Sequence, residues 1–109
     1  MTSFIITVAL GLIISAIGIM NLTGNISSIH WYHRRRVTEE NIRSFGRLVG
    51  LGTLIIGLAV TVFGILSLVA EIAALSILVI IGAVILILGA VSGLTLSFYA
   101  MIRYNKGIF

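Results

Sequence analysis

The sequence predicts an all-α integral membrane protein: a three-helix bundle with its N-terminus outside and its C-terminus in the cytoplasm. Three observations predict it. Of 109 residues, 60% are apolar and only 9% are charged, against roughly 25% charged in an ordinary soluble domain. So small a body needs a polar exterior, and these side chains are too few to build one. The apolar residues fall in long uncharged runs, not in the alternating pattern of a barrel strand. In lipid every backbone N–H and C=O must also be satisfied locally, which a helix achieves. Finally, all seven Lys and Arg lie either between residues 34 and 47 or at positions 103 and 106.

The first run, Phe4 to Leu22, has no charge. As a helix it is about 28 Å long, close to the ~30 Å of hydrocarbon it would cross. It has no basic leader and no small-residue cleavage site after it, so it is expected to be an uncleaved span. After a polar connection, Leu48 to Ile102 contains one charge, Glu71. A single helix of that length would measure roughly 80 Å, so the run must fold back on itself. Glu71 marks the reversal, because mid-span it would be an ionised group in oil. The expected organisation is one membrane domain over 1–109. Its spans are about 4–22, 46–69 and 74–102, with a cytoplasmic loop over 23–45 and a short outer turn near 70–73. With three spans the loop and the C-terminal tail share one side. The positive-inside rule makes that side cytoplasmic.

Small residues recur at sevenfold spacing: Gly11 and Gly18 in the first span, Gly50, Gly57 and Gly64 in the second, Gly82 and Gly89 in the third. Such a stripe lines one helix face and suits left-handed crossing near +20°. Lipid tails are as apolar as Leu, so helices associate through close backbone approach, which small residues permit. The stripe is open to two uses: packing within the chain, or contact with a second copy or another membrane protein. A third reading is a polar path in a homo-oligomeric channel or small-solute transporter. Thr53, Thr61 and Ser67 would line it and Glu71 would form an outer acidic ring.

The loop carries most of the chemical variety. Thr38, followed by Glu39 and Glu40, reads as a helix start, with Thr38 as cap and the acids in the first turn. Glu39, Arg43 and Arg47 then stand at i, i+4 and i+8, and the helix is expected to run on into the second span. Trp31 and Tyr32 suit the interfacial belt. Arg34, Arg35 and Arg36, with Arg43 and Arg47, suit anionic lipid headgroups or a partner's docking surface. No nucleic-acid partner is expected, since the +4 charge flanks apolar runs. His30 and His33 are spaced for a metal, but the neighbouring arginines repel a divalent cation and no metal site is expected. No cofactor is expected either. Without a thiol, a Ser–His–acid set or a phosphate-cradling loop, the chain reads as no enzyme.

Tyr32-His33-Arg34, then Thr38-Glu39-Glu40, then Phe45-Gly46-Arg47 ahead of an apolar run resembles small bacterial three-span membrane proteins. The same stretch, about twenty residues, resembles the sporulation-delay-toxin immunity family, although Trp31 and His33 stand where that family's motif has Gly and Arg. The resemblance implies a bacterial inner-membrane protein with a toxin-immunity or signalling-accessory role. The residues and the resemblance together lead to one expectation. The chain is a non-catalytic accessory, immunity or regulatory protein of the prokaryotic cytoplasmic membrane, acting through helix association.

Overall fold

A computed structural model describes residues 2–23, 37–38 and 40–106. Three helices make up the fold: α1 (Thr2–Leu22), α2 (Ile42–Ala73) and α3 (Ile77–Tyr104). All three are long and apolar enough to cross a membrane, and the chain is a multi-pass membrane protein. Their outward side chains are those that oil would solvate: Ile13, Ile72, Ile87 and Leu88 are each more than half exposed. In water a surface of that kind would aggregate, whereas in hydrocarbon it is the natural exterior.

The helices do not close into a bundle in which each touches both others. α1 and α3 each pack along α2 and barely meet one another. The cause lies in the register of α2. Gly50, Leu54, Gly57, Thr61 and Gly64 face α1, while Gly52, Ile56, Ala59 and Phe63 face α3. The second series is the first shifted by two residues, which at 100° per residue is about 200° around the helix. The two outer helices therefore lie on nearly opposite sides of α2, which is the most buried of the three.

Both pairs run antiparallel. Gly11 meets Thr61 and Gly18 meets Leu54; Gly82 meets Phe63 and Gly93 meets Gly52. One end of the molecule thus holds Leu22, Ile42 and Tyr104, and the other holds Phe4 and the α2–α3 turn.

The helix ends depart from expectation at two places. Thr38 does not begin α2. The N–H of Asn41 donates to the Thr38 carbonyl at 3.0 Å, forming a turn, and the helix starts at Ile42 with no side-chain cap. From there it runs unbroken for 32 residues, about 48 Å. At the other end α2 continues through 70–73, where the reversal was expected, and the turn occupies residues 74–76. Ala74 takes the left-handed conformation, φ 56° and ψ 39°. The N–H of Leu75 reaches back to the Ala70 carbonyl at 2.9 Å, the six-to-one bond of a Schellman ending. Glycine normally fills that position, because a Cβ there costs about 1–2 kcal/mol. Ala74→Gly is accordingly expected to stabilise the hairpin by about 0.5–1 kcal/mol. Reversible denaturation in mixed micelles measures this, and a lowered midpoint would refute it.

Candidate functional site

The α1–α2 seam is built from glycines set against the other helix's backbone. A Cβ on Gly57 would lie 2.5 Å from the Ser15 nitrogen, and one on Gly18 would lie 2.6 Å from the Leu54 nitrogen. Gly11 and Thr61 meet just as closely. The hydroxyls on this seam are tied down within their own helices: Ser15 Oγ donates to the Gly11 carbonyl at 2.7 Å and Thr61 Oγ1 to the Gly57 carbonyl at 2.8 Å. Gly11 and Gly57 thus each offer a bare face to the opposite helix's hydroxyl-bearing residue, and the carbonyl of each accepts from a hydroxyl one turn further along its own helix. Gly64 completes the seam against Val8 and Phe4.

Two reciprocal glycine pairs mark further close crossings. A Cβ on Gly50 would meet the Gly18 carbonyl oxygen at 2.6 Å, and one on Gly18 would meet the Gly50 oxygen at 2.8 Å. Gly52 and Gly93 face each other's carbonyls in the same way across α2 and α3. Contacts of the Cα–H to carbonyl type at such crossings are worth about 0.5–1 kcal/mol each. Gly89 lies against Ala59, and Gly82 lies against Phe63. All seven glycines of the sequence stripe therefore face neighbours within the chain. Gly52, Ala59 and Gly93 also belong to this packing; Gly52 stands outside the sevenfold series of Gly50, but its offset of two residues is the signal of a second seam.

The four residues of the channel reading differ in burial and in their neighbours. Thr53 is half-buried. Thr61 sits in the α1 seam with its hydroxyl committed to Gly57. Ser67 is fully buried, and among the described residues its Oγ is the buried side-chain polar atom with no hydrogen-bond partner. An unmet hydroxyl of this kind costs about 1–3 kcal/mol. Glu71 is exposed on the last turn of α2. Only Ser67 and Glu71 come together, in a cavity at the hairpin end.

The opposite end is basic. Arg43 and Arg47 are exposed on the first turns of α2, and Arg103 and Lys106 are exposed at the end of α3. Arg103 lies over the Tyr104 ring, 5.4 Å from its centroid, and donates to the Tyr99 hydroxyl across a long 3.5 Å. Aromatic rings and cations so placed suit headgroup depth. Beneath them Phe45, Val49, Ala100 and Met101 form a small buried core that Val37, Leu48 and Tyr104 flank. Asn21 and Asn105 are buried at this end, and both have partners within the chain. Nothing in the apolar patterning singles them out. Trp31, Tyr32, Arg34, Arg35, Arg36, His30, His33 and Glu39 lie outside the described residues.

Between the helices run two further apolar hollows. One, of about 360 Å³, lies between α1 and α2 along Val8, Leu12 and Ile65. The other, of about 370 Å³, lies between α2 and α3. Ala59, Gly89 and Ser92 are its small residues, and Ile55, Leu58, Val62, Ile85 and Leu88 complete its lining. Family models, curated proteins and solved structures were all compared with this chain, and none matches.

Proposed function

We propose that the chain is a non-catalytic accessory, immunity or regulatory protein of the bacterial cytoplasmic membrane, acting through helix association. The groove between α2 and α3 is the seat. One observation supports this reading: the seam glycines face neighbours within the chain, yet this groove still presents small residues to the lipid side. Ser92 is exposed there, and Leu58 and Leu88 stand out as ridges, 51% and 63% exposed. Small residues flanked by large aliphatic ones let an incoming helix approach closely. The occupant proposed is a helix of a second copy. In this reading the basic end faces the cytoplasm. There each of Arg43, Arg47, Arg103 and Lys106 gains about 1 kcal/mol from anionic headgroups. An immunity or signalling role remains the proposal that the loop's resemblance carries.

Energy transfer between donor- and acceptor-labelled copies, followed against the protein-to-lipid ratio, tests the seat. Ser92→Trp fills the groove from its exposed side and is expected to weaken self-association at least tenfold, about 1.4 kcal/mol. Ile13→Trp, on the outer face of α1, should leave it unchanged. Equal transfer in wild type and Ser92→Trp would overturn the assignment.

A further inference from the structure

We propose that the hairpin end binds a small organic cation, a primary ammonium with a compact apolar body, in the cavity that α1, α2 and α3 share. This site is independent of the helix-association reading. The cavity measures about 420 Å³, and Phe4, Ser67, Ala70, Glu71, Ser76 and Val79 are among the residues that line it.

The first observation is Ser67. Elsewhere in the spans Thr7, Ser15, Thr61 and Thr95 each donate to the carbonyl four residues earlier. That is the usual way for a hydroxyl to enter oil. Ser67 is completely buried, lines the cavity and makes no such bond. Its hydroxyl is left with both donor and acceptor capacity. Glu71 stands one turn further along the same face, at i+4. It already has a partner within the chain, and a carboxylate has lone-pair sites for more than one donor.

Charge and volume then select the ligand. Glu71 is the one charged side chain among the lining residues, and its full negative charge outweighs the half-charges of the helix ends that meet here, the C-terminus of α2 and the N-termini of α1 and α3, while Arg43, Arg47, Arg103 and Lys106 sit at the far end. An anion is disfavoured. A bare metal ion asks for several oxygen ligands at close range, whereas much of this wall is Phe4, Ala70 and Val79. An ammonium group satisfies the polar side: its N–H donors meet Glu71, Ser67 and Ser76. Its apolar body meets the aliphatic wall, and the Phe4 ring favours a cation over its face.

The test uses the full chain in phosphatidylcholine nanodiscs, titrated with 4-fluorobenzylammonium and followed by fluorine NMR against protein-free discs. Saturable one-to-one binding is expected. Glu71→Gln should weaken it at least tenfold, Ser67→Ala several-fold, and neutral 4-fluorobenzyl alcohol should not compete. Uptake no greater than in empty discs would overturn the proposal, as would equal binding by Glu71→Gln or displacement by the alcohol. Should Glu71→Gln fail to fold, Ser67→Ala and the alcohol competition decide, since neither alters the charge of the chain.

Discussion

Gly57→Leu is expected to separate α1 from α2 while leaving both helices intact. The new Cβ would fall 2.5 Å from the Ser15 nitrogen and 2.9 Å from its Cα. These are backbone atoms of a regular helix and cannot swing aside as a side-chain tip does, so relief requires the whole of α1 to move. The cost is expected at or above the upper end of the about 1–3 kcal/mol typical of overpacking. Close packing is what holds helices together in lipid, so the seam has no other large term to offset the loss. Each helix keeps its own hydrogen bonds in the bilayer, and the circular dichroism should hardly change. Spin labels at Leu12 and Ile65, which border the same hollow, read the separation. A narrow distance distribution in the wild type should broaden and lengthen in the variant. An unaltered distribution would refute the seam.

Gly52→Leu is expected to do the same to α2 and α3. Gly52 and Gly93 oppose each other, and a side chain on Gly52 also meets the Ser97 hydroxyl at 2.7 Å. The local helix–helix distance must open, at a cost comparable to that of Gly57→Leu. Labels at Leu58 and Leu88 should move apart, while the Leu12–Ile65 distance stays at its wild-type value, because the two seams lie on opposite sides of α2. The double variant should show additive losses, as sites without shared partners do. Strong non-additivity would mean that α1 and α3 support each other directly, contrary to their scant contact.

Much of this was legible in the sequence, and the reasons differ by feature. The three helices follow from hydropathy, because in oil a long apolar run has few conformations open to it. The sevenfold spacing of Gly50, Gly57 and Gly64 is visible as a face, but spacing does not say which neighbour the face meets. Gly52 escapes a search along one heptad, since it belongs to the series offset by two. The hairpin turn carries no glycine because Ala74 accepts the left-handed conformation at a modest cost, and so the usual punctuation is missing. Thr38 has the composition of a cap, but its carbonyl closes a turn with Asn41 instead. The cavity at Ser67 and Glu71 is the least legible feature. It depends on Phe4 arriving from a span more than sixty residues away in the chain, and on one serine not bonding to its own helix.

The offset of two residues along α2 has a consequence for change over time. The seam that holds α1 and the proposed visitor's berth beside α3 occupy separate strips of the same rod. Substitutions at Leu58, Leu88 or Ser92 could retune who docks without loosening what is already assembled. A glycine altered at position 18 or 50 would undo the fold while leaving the berth's own shape nearly as it was.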